Sequence, residues 1–288
     1  ALLLAILAIV IYPALPPGSI GPWKLIDPRA TWVTVILISS IGFTNYVLLK
    51  IYGARGTEIS GFLGGLVNSN FTVIELTSRI KYNDRLVDYA YRSILLATTA
   101  MLARNAMLLL ILAPNVLLNS WLAFVLMFFT SAVLVLISHR SGRVIVENEP
   151  IQLTLGLPFS LWTALKYGFV FLVIHIFGTL SQNIFGETGF YTVSIIGGLV
   201  SSASSVAASA NLASHGSISA ALASKASILA SFASIAFSFS FVLQTRNGSL
   251  IRKLVASMFF VAVAGLTGII FSERFLPILI GLYESRME

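Results

Sequence analysis

The sequence predicts an all-α, polytopic bundle of transmembrane helices, and its composition and its apolar runs carry that prediction. Of the 288 residues, 57% are hydrophobic and only 10% are charged, whereas a soluble domain carries about 25% charged residues. A chain this apolar needs the bilayer as its solvent, where backbone polar groups must be satisfied within helices or closed barrels. The apolar runs are continuous rather than alternating, which favours helices over a barrel.

Nine apolar segments are candidates for these helices, since a spanning helix needs roughly 20 mostly apolar residues. Turn-forming residues separate most of them. We group the segments into a first repeat over residues 1–113, a second repeat over 114–245, and a last helix with a cytoplasmic tail over 246–288. The nine segments are Leu2–Ala14, Thr31–Leu49, Ile59–Leu76, Val87–Ala113, Trp121–Ile137, Leu161–Ile184, Phe190–Ala213, Ser217–Leu243 and Leu250–Phe271.

An internal repeat underlies that grouping, because two stretches match without a gap at an offset of 133 residues. With four spanning segments in each repeat, we expect parallel repeats related by a two-fold axis near the membrane normal. The matched positions are Ile51-Tyr52-Gly53 with Ile184-Phe185-Gly186, Gly56 with Gly189, Gly64-Gly65-Leu66-Val67 with Gly197-Gly198-Leu199-Val200, Ser69 with Ser202, and Arg92 with Lys225.

Basic residues in the loops predict the orientation, since cytoplasmic loops of membrane proteins are rich in Lys and Arg. The same rule accounts for the net charge of +7 without a nucleic-acid partner. If all nine segments span, one side holds nine basic residues and the other five, which places the C-terminus in the cytoplasm. The nine are Lys24, Arg29, Arg79, Lys81, Arg85, Arg140, Arg143, Arg274 and Arg286; the five are Lys50, Arg55, Arg246, Arg252 and Lys253.

The repeated Gly-Gly pairs, and the polar residues that follow them, are candidates for a solute path. In many transporters the path lies where repeats meet, at helices broken in corresponding positions. The alternative is close packing, which small residues and serine hydrogen bonds also allow, and we favour it for Ser219, Ser227 and Ser231. The predicted path comprises Gly64, Gly65, Asn68, Ser69, Asn70, Glu75, Arg92, Arg104, Gly197, Gly198, Ser201, Ser202 and Lys225.

Ionisable residues within the apolar segments point to function, because a charge at membrane depth is costly unless it is paired or hydrated. Arg104 lies deepest and is the leading candidate. It either faces a polar cavity, with its neighbour Asn105 as a candidate partner, or pairs with Glu75. His175 is central in the sixth segment, where a hydrogen bond to a backbone carbonyl is favoured over a proton relay.

Motifs for catalysis are missing from the sequence, so we predict that the protein is not an enzyme. There is no phosphate-binding glycine loop with Lys, no His-Glu-x-x-His helix and no triad around His215. There is also no Cys, which excludes thiolate metal sites. We predict neither a cofactor nor a bound metal.

Several motifs resemble a known family. They are Leu15-Pro16-Pro17, Gly21-Pro22-Trp23, Asp27-Pro28-Arg29, Trp32, Gly53-Ala54-Arg55-Gly56, and the run from Gly61 through Gly64-Gly65 to Asn68-Ser69. Together they resemble the uncharacterised integral membrane domain that follows the MgtC/SapB domain in many prokaryotic proteins, over about Ala1 to Phe271. The resemblance implies a membrane protein associated by name with magnesium homeostasis, and an MgtC/SapB region preceding Ala1.

The resemblance also implies a basic residue in the fourth segment, which Arg104 provides, and acidic residues shortly after the second glycine motif. This chain has Ser201-Ser202-Ala203-Ser204-Ser205 at that place. Divalent cations prefer carboxylate oxygens, so a magnesium site is not favoured here. A monovalent ion, an anion near Arg104 and Lys225, or a neutral solute remains open.

These features predict a transporter or channel for a small ion or solute in the plasma membrane of a prokaryote. Its partners would be the lipid bilayer and that solute, with assembly into a homo-oligomer left open. The alternatives are a non-transporting module that regulates or docks a partner and, third, an intramembrane enzyme acting on lipid.

Overall fold

The computed structural model describes residues 5–18, 28–52, 58–80, 87–141 and 161–284. Those ranges contain eight α-helices and no strand, which confirms the all-α prediction. A π-helical turn, Ile6–Ile11, precedes the first helix. Gly53 and Gly56 of the repeat lie outside the described residues. The helices are α1 (Tyr12–Ala14), α2 (Pro28–Tyr52), α3 (Glu58–Ile80), α4 (Val87–Leu112), α5 (Pro114–Ser141), α6 (Leu161–Ser214), α7 (Ala220–Leu243) and α8 (Gly248–Glu284).

Six stretches of the described chain are long and apolar enough to cross a bilayer, which indicates a multi-pass membrane protein in contact with lipid. Neither α3 nor the described part of the predicted segment Leu2–Ala14 is among them, so the described residues contain fewer spanning stretches than the nine predicted. The six stretches are Thr31–Leu48, Val87–Leu112, Pro114–His139, Gly168–Ser214, Ala220–Leu243 and Gly248–Ser272.

The predicted sixth and seventh segments lie together in α6, a helical stretch of 54 residues, so the described residues contain eight helices and not nine. The run is broken at Gly186, which has φ 64° and ψ −150°, a conformation that glycine adopts at little cost. The chain folds back there, because a Cβ built on Gly178 would lie 3.0 Å from the ring of Phe190. Residues 161–185, which we call α6a, therefore form a separate helix before this turn.

The helix α3 also folds back on itself, at Asn68 (φ −158°, ψ 103°). Before the break, a Cβ on Gly61 would meet Ser93 of α4 at 2.8 Å. After it, Leu76 shares an apolar cluster with Tyr89 and Ile94 of the same part of α4. Along a straight helix Gly61 and Leu76 would be about 22 Å apart. Residues 58–80 are therefore a helical hairpin, hairpin 1, with its tip at Asn68.

A second helical hairpin, hairpin 2, spans residues 187–214 and has its tip at Ser201 (φ −159°, ψ 104°). The hydroxyl of Ser205 donates a hydrogen bond of 3.0 Å to the carbonyl of Ser194, although eleven residues span about 16 Å along a straight helix. Nearer the base, Gly178 of α6a contacts both Phe190 and Leu212. The two halves of hairpin 2 thus run antiparallel.

The spanning helices of the two halves of the chain run in opposite directions. The start of α8 lies against the start of α4, where the hydroxyls of Tyr91 and Ser257 are 2.7 Å apart. The preceding helix α7 therefore ends where α4 begins, and the two cross at Asn105 and Ser231, which share a hydrogen bond of 3.0 Å. Likewise α5 and α8 are antiparallel, with Gly268 against Ala123 and Ser272 bonded to Asn119.

This arrangement corrects the expectation of parallel repeats. That expectation required every predicted segment of a repeat to span, and the third segment, within α3, enters and leaves on one side instead. We call the side where hairpin 1 has its base the hairpin-1 side, and the opposite side the hairpin-2 side. The ends of α2, α5 and α7 lie on the hairpin-1 side.

Candidate functional site

The tips of the two hairpins meet around a cavity of about 40 Å³ at the centre of the bundle. Residues from α2, α4 and α7 complete its wall. The lining residues are Ile38, Ile41, Gly42, Leu66, Val67, Asn68, Ser69, Asn70, Arg104, Leu108, Val200, Ser201, Ser202, Ala203 and Ser234. Two reversals of the chain, distant in sequence, therefore form one site.

Both tips are built in the same way. The Asn68 side chain accepts a hydrogen bond of 3.1 Å from the N–H of Phe71. The Ser201 hydroxyl accepts one of 3.2 Å from the N–H of Ser204. Each residue thereby caps the returning half of its hairpin, since asparagine and serine side chains satisfy an N–H that lacks an acceptor in the first turn. The two tip residues are 133 positions apart and share the same backbone angles within a degree.

The second glycine of each Gly-Gly pair allows the outgoing half of a hairpin to pack closely on the next helix. A Cβ on Gly65 would fall within van der Waals distance of the backbone of Ala97 in α4, and one on Gly198 would do the same with Ala230 in α7. Small residues permit such close approach between membrane helices. The Ala97 and Ala230 positions also differ by 133.

Arg104 of α4 links the two tips. Its Nη1 donates hydrogen bonds to the carbonyls of Leu66 and Val67, at 3.2 and 3.3 Å, and its Nη2 donates to the Ser202 hydroxyl at 3.4 Å. The carbonyls at a helix C-terminus lack intrahelical donors and carry a partial negative charge. The guanidinium thus binds the end of one half-helix while it reaches the opposite hairpin.

Two serine hydroxyls of the cavity wall, at Ser69 and Ser234, make no hydrogen bond within the described part of the chain. Their side chains are 6% and 1% exposed. Other serines of these helices bond a carbonyl of the preceding turn, as Ser227 does with Ala223 at 2.7 Å. Asn70, beside them, accepts a hydrogen bond from Ser238.

The structure brings six residues of the predicted path to this cavity and leaves seven elsewhere. Among the seven, Arg92 lies buried between α4 and α5, where it bonds Ser138 and His139 at 3.2 Å, and Glu75 lies two turns beyond the tip of hairpin 1. Those at the cavity are Asn68, Ser69, Asn70, Arg104, Ser201 and Ser202; those elsewhere are Gly64, Gly65, Glu75, Arg92, Gly197, Gly198 and Lys225.

Sequence reasoning missed the apolar wall from α2 and the hydroxyl from α7. Ser234 lies in a serine-rich helix that was interpreted as packing. It does, however, fall outside the four-residue spacing of Ser219, Ser227 and Ser231, and that departure was the available signal.

His175, buried against Phe171 with ring centroids 5.8 Å apart, does not line the cavity. No cluster of three or more His, Asp or Glu residues that could hold a metal occurs among the described residues.

Six apolar helices that enclose two inward-pointing helical hairpins define a polytopic α-helical membrane protein with a central polar site. Residues 36–245 match the model of a domain of unknown function, DUF4010, and the chain belongs to that family. No curated protein matches the chain. No solved structure matches it either.

Proposed function

We propose that the protein is a carrier that moves a small solute through the site where the two hairpin tips meet. The observation that carries this proposal is the pair of identical breaks, at Asn68 and Ser201, on opposite sides of one small polar cavity. Helices broken at corresponding positions of two repeats, at mid-depth in the bundle, are characteristic of secondary transporters.

The proposal includes an internal repeat of inverted topology. Its first unit is α2 to α5 and its second is α6 to α8, in which α6 supplies both a spanning helix and a hairpin. The starts of α4 and α7 differ by 133 positions, and those of α5 and α8 by 134. This division moves the boundary between the repeats from residue 113 to the segment between α5 and α6.

Contacts between equivalent residues support a two-fold axis in the membrane plane. Gly168 of α6a packs on Val35 of α2, with a Cβ on Gly168 lying 2.9 Å from a valine methyl, and these residues are themselves 133 positions apart. A residue can touch its own counterpart only near the axis. Three spanning helices in each unit give the units opposite orientations in the membrane, and many secondary transporters have such inverted repeats.

The geometry suggests how access could alternate. Hairpin 1 has its base on one side of the membrane and hairpin 2 on the other, so that moving either tip opens the cavity towards a different side. Arg104 bonds to both tips and ties them together in this state. Alternating access through relative motion of two repeats about a fixed site follows the same scheme.

We also propose that the hairpin-1 side is cytoplasmic, in the plasma membrane of a prokaryote. With six spanning helices, eleven basic residues fall at helix ends or connecting segments of that side and four on the other, a stronger bias than the nine-segment topology gives. The C-terminus then lies outside the cytoplasm, which reverses the prediction from sequence. The eleven are Lys50, Arg55, Arg79, Lys81, Arg85, Arg140, Arg143, Lys166, Arg246, Arg252 and Lys253; the four are Lys24, Arg29, Arg274 and Arg286.

The test is flux in liposomes that contain the purified protein, measured against a panel of small anions, monovalent and divalent cations and neutral solutes. We expect selective flux that Asn68→Ala and Ser201→Ala each reduce. The matched control is Ser219→Ala, which removes the equivalent cap from α7, where Ser219 accepts from the N–H of Leu222 at 3.1 Å. All three variants should lose about 1 kcal/mol of stability. A fall in flux that occurs in the two tip variants but not in Ser219→Ala would therefore reflect the solute path and not the loss of stability.

A well-folded protein that carries none of these solutes would contradict the carrier proposal. It would favour the alternative of a non-transporting module that regulates or docks a partner. An MgtC/SapB region would be the first candidate partner to test. Equal flux in the two tip variants and wild type would show that the path lies elsewhere.

A further inference from the structure

The cavity between the hairpin tips has a positive electrostatic character. Arg104 is the one charged residue in its wall, and no Asp or Glu of the described chain lines it. The returning halves of the hairpins, 69–80 and 202–214, both begin at the cavity. Helix N-termini carry a partial positive charge and N–H groups without intrahelical acceptors. The outgoing halves also end there, but the carbonyls of Leu66 and Val67, at the end of the outgoing half of hairpin 1, are already bonded to Arg104. Two helix N-termini and one guanidinium therefore act on the same small volume.

The unpartnered hydroxyls point independently to a ligand. Ser69 and Ser234 are more than nine-tenths buried, line the cavity, and make no hydrogen bond within the described residues. Buried polar side chains are normally hydrogen-bonded, and each exception needs an explanation. A hydroxyl can donate to an anion, so a bound anion would satisfy both.

The size of the cavity restricts the ligand further. A volume of about 40 Å³ holds roughly three water molecules, since one water needs about 10–15 Å³ by the same measure. Amino acids, sugars and nucleotides do not fit in this state. A halide ion or a small planar oxyanion does.

We infer that this cavity is a binding site for a small monovalent inorganic anion, held by Arg104, by the hydroxyls of Ser69 and Ser234, and by the N-terminal ends of the two returning half-helices. The inference rests on the proposed function, because it names the substrate class of that same site. Helix N-termini bind anions through their N–H groups and dipole.

A cation fits these surroundings poorly. The half-helix carbonyls of Leu66 and Val67, which could coordinate a sodium ion, already accept hydrogen bonds from Arg104. Divalent cations prefer carboxylate ligands, and Glu75 is seven residues beyond the tip. Any cation in the cavity would also be repelled by the guanidinium and by the N-terminal ends of the two returning half-helices.

The anion site can be tested by binding, apart from transport. The melting temperature of the purified protein in detergent would be followed while sodium gluconate is replaced by sodium bromide or sodium nitrate at constant ionic strength. Gluconate is too large for the cavity and serves as the reference. We expect a saturable rise in melting temperature with either small anion, since a ligand that binds the folded state stabilises it. The rise should be the same when potassium or choline replaces sodium.

Variants link that response to the site. Ser69→Ala and Ser234→Ala should each weaken binding about tenfold, since each removes a hydrogen bond to a charged group. Ser227→Ala, on the same helix as Ser234 but bonded to Ala223, should bind as wild type does. Arg104→Lys, which keeps the charge, should bind more weakly than wild type, and Arg104→Gln should not bind.

The outcomes separate the two proposals. Saturable anion binding that depends on Ser69 and Ser234, without flux in liposomes, would support the anion site and contradict the carrier proposal. Cation-selective flux with no response to bromide or nitrate would keep the carrier and overturn the anion site. A response that follows the identity of the cation, or that survives unchanged in Ser69→Ala and Ser234→Ala, would also overturn the site. If Arg104→Gln fails to fold, the two serine variants alone decide the question.

Discussion

The two hairpins have the same backbone angles at their tips but differ in the side chains that bond them to the neighbouring helices. At hairpin 1, the side chains of Asn45 and Arg104 donate to the carbonyls before the tip, and Leu66 accepts from both, at 3.0 and 3.2 Å. Positions 133 residues later hold Gly178 and Phe237, which have no side-chain donor. Gly178 instead packs on apolar Phe190 and Leu212, and Phe237 is 38% exposed on the outer surface.

This difference implies that the two tips are not equivalent in function, although their folds correspond. Arg104 donates two hydrogen bonds, of 3.2 and 3.3 Å, to the carbonyls that end the outgoing half of hairpin 1, but only one, of 3.4 Å, to hairpin 2, at the Ser202 hydroxyl. Hydrogen bonds with a charged partner are roughly twice as strong as neutral ones. We therefore expect hairpin 2 to move more readily, and the following predictions test both the correspondence and the difference.

The largest effect is expected in the side of the membrane from which residues at the base of each hairpin can be labelled. The chain has no cysteine, so single cysteines can be placed at exposed positions and labelled with a reagent that does not cross membranes. Lys50→Cys and Ser78→Cys should both react from the cytoplasmic side, since hairpin 1 begins and ends there. Glu187→Cys and Ser214→Cys should both react only from outside.

The cysteine-free wild type is the control for that labelling. If Lys50→Cys and Ser78→Cys react from opposite sides, α3 crosses the membrane and the inverted arrangement is wrong. If each pair stays together but the sides are exchanged, only the proposed orientation fails.

The next largest effect is expected on folding, when the glycines that let the outgoing half-helices pack closely on α4 and α7 are replaced. Gly65→Val and Gly198→Val should each strongly reduce the yield of folded protein, because a Cβ at either position meets the backbone of Ala97 or Ala230. Overpacking costs about 1–3 kcal/mol even where side chains can shift. Gly248→Ala, which has nothing within 4 Å of the added Cβ, should be tolerated in a thermal unfolding assay. Tolerance at Gly65 but not at Gly198 would break the correspondence between the hairpins.

A smaller and asymmetric effect is expected at the tip donors. Arg104→Leu removes the hydrogen bonds to Leu66, Val67 and Ser202. It should lower the free energy of unfolding by about 2–4 kcal/mol, because hydrogen bonds to charged groups are worth about 1.5–3 kcal/mol each and part of the loss is offset by removing a partly buried charge. It should also abolish flux. Phe237→Leu, at the corresponding position, should change stability by no more than about 0.5 kcal/mol. Equal effects of the two variants would mean that the tips are equivalent after all.

The smallest effect is a coupling energy that identifies the partner of Arg104. A double-mutant cycle with Arg104→Leu and Ser202→Ala should give a coupling of about 0.5–1.5 kcal/mol, because the two side chains are in contact. The same cycle with Glu75→Gln should give a coupling near zero, because Glu75 lies about 10 Å along the helix from the tip. A larger coupling to Glu75 would restore the ion pair as the role of Arg104.

The sequence singled out six residues of the cavity wall. The offset of 133 residues placed Gly65 against Gly198 and Ser69 against Ser202, and the structure gives those pairs corresponding positions in the two hairpins. Arg104 could be singled out because an arginine this deep in an apolar segment needs a polar environment. Ile41 and Leu108 carried no signal of their own, since an apolar residue that lines a cavity looks like one that faces lipid.

By itself the sequence determined the class of protein and most of the helical segments, because these depend on local hydropathy along the chain. Only the tertiary structure decided that Glu58–Ile80 turns back at Asn68 and that the two halves run in opposite directions. A helical hairpin that re-enters the membrane and a helix that crosses it show the same apolar composition and the same helical period in the sequence. What distinguishes them is a single extended residue at the tip, Asn68 or Ser201. The returning half is placed by tertiary packing, as where Leu76 of hairpin 1 shares an apolar cluster with Tyr89 of α4.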